Sequence, residues 1–349
     1  MAADPVPGLP RETPLVTLDD IRAAAERLRG ITVRTPLLRW GQPISGDPYG
    51  RTAAYLKPEN LQPIGAFKLR GAYNAIAQLS PEEHAAGVVT HSSGNHAQGV
   101  ARAARLLGTR AVIVMPSDAP RLKVQRVAAD GARIVTVGPS SEERTARAHE
   151  LAATEGLALI PPYDDARIIA GQGTVGLEIA EQLAELGHEG AFVALVPIGG
   201  GGLASGVATA VMSLRPEARV YGVEPALAAD ARESLREGRV MRWAPELVGR
   251  TSADGMRTAS IGQLPFAHLR RYAAGVVTVE ESEISRAMVR AATEARLVLE
   301  PSGATSLAAL LFAPPELAPD MPVVCVLSGG NVDPDRYAKL LAAGEAAGG

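Results

Sequence analysis

Phe192-Val193-Ala194-Leu195-Val196-Pro197-Ile198-Gly199-Gly200-Gly201-Gly202-Leu203 is the stretch from which the architecture can be read. Its apolar, partly β-branched start predicts a buried strand over 192–197, and the residues after the glycines repeat with helical period over 203–214. Each glycine in an ordered element costs roughly 0.5–1 kcal/mol relative to alanine, so the run requires a reason. A strand, a glycine loop and a helix start gather several backbone N–H groups around one point, at the positive end of the helix dipole. That geometry binds phosphate. A plain turn would need only one or two glycines. The run does not say which phosphate. A dinucleotide fold prefers spaced glycines near its first strand and an acid about 20 residues further on. Glu224 lies 22 residues beyond Gly202, so the motif alone leaves that option open.

The same unit recurs in both directions. Further strands are predicted at 87–90, 111–115, 133–137, 219–223 and 323–327, and helices at 95–107, 122–129, 142–155, 173–186 and 281–296. This alternation predicts an α/β fold of mostly parallel sheets covered by helices. In such folds ligands gather outside the carboxyl ends of the strands. Three more loops at predicted strand ends carry chemistry: His91-Ser92-Ser93-Gly94-Asn95-His96, Glu224-Pro225 and Ser328-Gly329-Gly330-Asn331. The first opens a helix. One serine or asparagine suffices as an N-cap, and this loop offers three such residues around a glycine, a set that also suits an anion such as a carboxylate.

Composition narrows the classes. The 349 residues suggest about two domains, and 46% hydrophobic with 21% charged residues supports a large core. A net charge of -3 without a basic run favours neither nucleic acid nor an anionic membrane as partner. No apolar run approaches the roughly 20 residues of a membrane span. Residues 1–17 read as a loose tail without the features of a signal peptide. Cys325, the only cysteine, sits in an apolar run and reads as buried packing; a single thiol fits a cytoplasmic protein. Lysine occurs only at positions 57, 68, 123 and 339, so a reactive amine has few candidates. Lys68 opens a helical stretch, where a cation opposes the dipole, and it stands beside small residues and Phe67. Burial would favour its neutral, nucleophilic form. Taken alone, such a lysine is ordinarily a solvated surface group.

Lys57-Pro58-Glu59-Asn60-Leu61-Gln62 and Gly65-Ala66-Phe67-Lys68-Leu69-Arg70-Gly71-Ala72 resemble the cofactor-attachment segment of the serine/threonine dehydratases. Thr90–His96 resembles their substrate loop. Ile169–Thr174, the tetraglycine, Ala253-Asp254-Gly255, Glu300–Ala304 and Ser328–Asp333 follow in the family's order. The resemblance spans 18–333 and implies a fold-type II enzyme dependent on pyridoxal 5'-phosphate (PLP), a group that includes serine racemase. Two open α/β domains would flank the cofactor: a large one from 18–64 and 162–349, and a small mobile one over 65–161.

At matching positions, Lys68 would carry PLP as a Schiff base and act as base on one face. Phe67 and Gly255 would sandwich its ring, and Asn95 would bond the phenolic oxygen. Gly199, Gly200, Gly201, Gly202 and Leu203 would cradle the phosphate, and Ser328 would face the pyridine nitrogen. Ser92, Ser93, Gly94, Asn95 and His96 would surround the substrate carboxylate, with Ser93 matching the second-face base of serine racemase. Glu224, Ala228 and Asp230 resemble a segment that binds Mg2+, Mn2+ or Ca2+, although two acids at a strand end are also simply solvated groups. The implied reaction is loss of water and ammonia from L-threonine or L-serine, giving 2-oxobutanoate or pyruvate. Serine racemisation and dehydration of threo-3-hydroxyaspartate are the alternatives. A homodimer is implied, and a C-terminal regulatory domain is not expected. Ala66 and Ser252 depart from the family pattern at positions that bear on substrate preference.

Overall fold

The computed structural model describes residues 14–42, 53–92, 94–119, 121–138, 140–315 and 321–348, with Asp4, Pro5 and Ser141 described by their backbone alone. Its strands begin with β1 (Asp4–Pro5), β2 (Leu38–Trp40), β3 (Ala54–Pro58), β4 (Val88–His91), β5 (Ala111–Pro116) and β6 (Arg133–Val137). They continue with β7 (Ala158–Leu159), β8 (Val193–Pro197), β9 (Arg219–Pro225), β10 (Met241–Arg242), β11 (Gly275–Val279) and β12 (Val323–Leu327). One sheet has the order β11-β9-β8-β12-β3-β2 and a second the order β6-β5-β4-β7. Every neighbouring pair within them is parallel except β2 with β3. β1 pairs antiparallel with β10.

The first helices are α1 (Leu18–Leu28), α2 (Lys68–Ile76), α3 (Pro81–Ala86), α4 (Asn95–Leu107), α5 (Arg121–Ala129), α6 (Ser141–Glu155) and α7 (Ala166–Glu185). The rest are α8 (Gly202–Leu214), α9 (Asp230–Glu237), α10 (Pro245–Val248), α11 (Gln263–Tyr272), α12 (Glu281–Arg290), α13 (Pro301–Phe312) and α14 (Pro334–Ala346).

Strand residues alternate between two cores, as the two-residue pleat requires. Val193, Leu195, Val323, Cys325 and Leu327 pack on one face of the large sheet with Ala304, Leu307 and Leu311 of α13. Ala194, Val196, Val324 and Val326 pack on the other with Val175 and Ile179 of α7 and Val207 and Val211 of α8. With both faces covered, these strands read as continuous apolar runs, which made them legible. The small sheet repeats the pattern, with Val88, Ile113 and Met115 against α2 and α4, and Val89, Val112 and Val114 against α6.

Differences from the sequence reading have local causes. The helix predicted from 173 begins at Ala166, because the Asp165 side chain accepts from the Arg167 N–H and caps it. The helix predicted to 296 keeps α-geometry to Arg290, then widens into a π-turn over Ala291–Ala295 and ends at Arg296 with φ 59°. At the chain start, Thr17 forms a capping box with Asp20, and the buried Val16 donates its N–H to His268 Nε2 at 2.9 Å. Of the predicted tail, residues 1–3 and 6–13 lie outside the described residues.

Candidate active site

The sheet order brings the singled-out loops together. β8, β12 and β3 are neighbours, and their carboxyl ends lead to the tetraglycine, to Ser328 and, through 59–67, to Lys68. The last two loops are stitched by an antiparallel bridge between Ala66 and Gly329. Within it, Phe67 donates its N–H to the Ser328 carbonyl at 3.1 Å and Gly330 donates to the Gly65 carbonyl at 2.9 Å. Gly65 has φ +73°, and a side chain there would strike Asn331.

Lys68 is the first residue of α2, and its Nζ donates to the Pro162 carbonyl at 2.8 Å, 5.1 Å from the Phe67 ring centroid. Burial lowers its pKa to about 8, so about a tenth of the amine is neutral near pH 7, far more than for a free lysine. Two residues on, Arg70 is fully buried and bonds Glu59, Glu178 and Thr174. Buried Lys57 adds a bond to Glu178 at 2.6 Å, and these two cations and two carboxylates tie β3 and α2 to α7.

Gly199, Gly200 and Gly201 have no room for a side chain, and Gly202 has little. A Cβ on Gly200 would lie 2.0 Å from the Tyr163 ring, one on Gly202 3.2 Å from Tyr163, and one on Gly199 2.9 Å from the Gly255 carbonyl. Gly201 is left-handed at φ +93°. No side chain caps α8, although Gly202, Leu203 and Ala204 are buried. A buried, uncapped helix start is open to an anion.

Gly255 donates its N–H to Ser302 Oγ at 3.0 Å, and Ser328 Oγ donates to the Ser302 carbonyl at 3.3 Å, so both positions meet at the start of α13. Asn95, the first residue of α4, donates from Nδ2 to Glu300 Oε1 at 2.6 Å and accepts from Asn331 Nδ2 at 2.8 Å. Ser92 Oγ accepts from the Gly94 N–H at 3.2 Å. Ser93 lies outside the described residues. His96 is buried with Nε2 on the Ile160 carbonyl at 3.1 Å; burial, then the charge of Lys68, lowers its pKa to about 3 and keeps it neutral.

Glu224 and Asp230 are buried at the end of β9 and the start of α9. Glu224 accepts from the Ala231 and Arg232 N–H groups at 3.0 and 2.8 Å, and Asp230 accepts from Ile261 at 2.6 Å. Burial, then the charge of Asp230, raises Glu224 well above the ordinary carboxylate range, and burial raises Asp230 to about 7. Two buried carboxyl groups supply the hard oxygen ligands that a divalent cation prefers. Among the described residues no group of three or more His, Cys, Asp or Glu forms a fuller cluster.

Some residues at the site had no role assigned from sequence. Glu300 and Asn331 sit inside recognised motifs, yet their partners lie more than 200 positions away. Lys123 of α5 donates to Asp254 at 2.7 Å, and its Nζ is 3.7 Å from where a Gly94 Cβ would stand.

Residues 29–329 match the family profile described as pyridoxal-phosphate dependent enzyme. The chain belongs to this family. As a fold-type II PLP-dependent enzyme, it is similar to proteins of more than one activity. It is 40% identical over 329 residues to the L-threo-3-hydroxyaspartate ammonia-lyase of Saccharomyces cerevisiae, covering 94% of this chain and 97% of that one. It is 37% identical to the serine racemase of Schizosaccharomyces pombe, covering 94% and 98%. Among solved structures, the processed form of threonine deaminase isoform 2 from Solanum lycopersicum superposes with a TM-score of 0.85 at 33% identity, covering 99% of this chain and 97% of that one. The PLP-dependent enzyme therefore falls in the ammonia-lyase and racemase group. No helix among its described residues is long and apolar enough to cross a membrane.

Proposed function

We propose that the enzyme is an L-threonine/L-serine ammonia-lyase, removing water and ammonia from a small β-hydroxy amino acid to leave a 2-oxo acid. The observation that carries this reading is a partly buried lysine amine beside an aromatic ring at the start of α2, which follows a strand of the same sheet whose β8 leads into the uncapped glycine loop. Lys68 would hold PLP, with Phe67 and Gly255 flanking its ring, Asn95 at its phenolic oxygen, Ser328 at its ring nitrogen and Gly199–Leu203 around its phosphate. When bound, PLP supplies an electron-withdrawing ring that stabilises negative charge at the substrate Cα.

The rest is the work of this chain's own residues. Ser92, Ser93, Gly94, Asn95 and His96, at the start of α4, orient the substrate carboxylate toward the helix dipole. Lys68 Nζ takes the α-proton, a task suited to an amine whose pKa lies near the operating pH. Ser328 offers a neutral hydroxyl rather than a carboxylate, so it leaves a facing ring nitrogen unprotonated. Ser93 is proposed as the opposite-face acid–base group. Glu224, the Ala228 carbonyl and Asp230 would hold a divalent cation such as Mg2+. Residues 65–161 are proposed as a small mobile domain that excludes water on closing, with Lys123 and Asp254 meeting across the cleft. We propose a cytoplasmic homodimer as its working form.

A second reading, dehydration of threo-3-hydroxyaspartate, is favoured by one feature: the Lys123 amine lies beside Gly94, and a second carboxylate there would share it with Asp254. The discriminating experiment measures 2-oxo acid release from L-serine, L-threonine and both threo-3-hydroxyaspartate enantiomers, with and without Mg2+. Preference for hydroxyaspartate selects the second reading. Accumulation of D-serine without 2-oxo acid, or no release from any substrate, overturns both.

A further inference from the structure

We propose that Arg126, Asn331 and Glu300 are positioning residues that fix which end of the Asn95 amide faces the cofactor. The inference rests on the reading in which Asn95 lies at the phenolic oxygen of PLP.

These residues form a chain of hydrogen bonds with a single direction. Arg126 Nη1 of α5 donates to Asn331 Oδ1. Asn331 Nδ2 donates to the Ile64 carbonyl and to Asn95 Oδ1, each at 2.8 Å, and Asn95 Nδ2 donates to Glu300 Oε1 at 2.6 Å. A guanidinium can only donate, so the Asn331 oxygen must face Arg126 and its NH2 must face Asn95. The Asn95 oxygen is thereby consumed. One of its two N–H groups goes to Glu300, and the other is left for a ligand. A phenolic oxygen that carries negative charge needs a donor at that point. With the amide reversed, it would meet a carbonyl oxygen.

The polarity survives titration of Glu300. Burial, then the charge of Asp254, raises its pKa to about 7, but Oε2 has no partner among the described residues and can carry the proton while Oε1 keeps accepting. Arg126 and Asn95 belong to the small-sheet half, whereas Asn331 and Glu300 belong to the large-sheet half, so the chain crosses between the two halves.

The test compares the full chain loaded with PLP against four variants, reading the visible Schiff-base band and the affinity of the apoenzyme for added PLP. Asn331→Asp still accepts from Arg126 but cannot donate to Asn95, so the Asn95 amide turns over. The band should shift and PLP affinity fall roughly 10- to 100-fold, the range for one hydrogen bond to a charged group. Glu300→Gln retains a carbonyl acceptor and should preserve the band. Combining the two substitutions lets the bonds run backwards, from the new amide at position 300 through Asn95 to the new carboxylate at position 331. The double variant should regain thermal stability while the band stays shifted, a split that a purely structural role would not produce. An unchanged band and affinity in Asn331→Asp overturn the proposal. Asn95→Ala separates the levels: if it too leaves the band unchanged, the placement of Asn95 at the cofactor is wrong, whereas a shift there alone refutes only the positioning chain.

Discussion

Replacing Glu59 with glutamine should cost about 3–5 kcal/mol of stability, the range for breaking a buried ion pair by removing one partner. The magnitude follows from the bonding. Glu59 Oε1 accepts from Thr35, Arg70 Nη2 and Gln62, and Oε2 accepts from Arg70 Nε and Gln62. Both oxygens therefore face donors. An amide in either orientation turns an NH2 toward Arg70, which loses a charge-assisted bond of roughly 1.5–3 kcal/mol. The buried cluster of Lys57 and Arg70 with Glu59 and Glu178 also moves from balanced to a net positive charge. Burial would by itself raise the pKa of Glu59, but the charge and hydrogen bonds of Arg70 outweigh it and hold the value below the ordinary one. A depressed carboxylate pKa stabilises the fold above its unfolded value of about 4.3, and that stability is lost as pH falls through the lower folded value. Urea unfolding followed by circular dichroism should show the deficit near neutral pH, and the gap between wild type and variant should narrow on acidification. Because Arg70 lies two residues beyond Lys68 on α2, PLP retention should weaken in parallel. A loss under about 1 kcal/mol would refute the account of the cluster.

Lys68→Ala should abolish the Schiff-base absorbance and lower turnover by at least about 10²-fold; a retained band would disqualify this lysine. With its amine depressed to about 8 by burial, the rate of PLP attachment to the apoenzyme should rise with pH through that region and level off above it, whereas a midpoint near 10 would contradict the burial. Gly200→Ala places a Cβ 2.0 Å from the Tyr163 ring, so PLP affinity should fall by at least tenfold, read by fluorescence titration, and wild-type affinity would argue against a phosphate at that loop. Chelation with EDTA should lower Tm by several degrees and Mg2+ restore it if Glu224 and Asp230 hold a cation; a Glu224→Gln variant with the same EDTA response as wild type would move the metal elsewhere.

What could be read early, and what could not, depended on the range over which each residue's role is set. β8 and β12 are buried on both faces, so their apolar runs announced them, and four glycines in a row were conspicuous by their conformational cost alone. β3 was missed although it lies inside the large sheet. Ala54–Pro58 contains Lys57, which looks like a solvated charge until Glu178, 121 positions away, is brought to it. The helix caps at Asp165 and Thr17 were missed for a different reason, since other polar residues nearby could have served as well.

Sequence by itself therefore determined the parallel α/β class and, through its motifs, the family and its cofactor, and it singled out the tetraglycine loop and Lys68 as candidates. Only the tertiary structure decided that Lys68 is buried enough to be partly neutral, that Glu224 and Asp230 are buried together at the β9–α9 junction, and that Asn95 is held by Glu300 and Asn331. Apolar periodicity and a run of glycines are local properties of a chain. Desolvation and hydrogen-bond direction arise only from neighbours that folding selects.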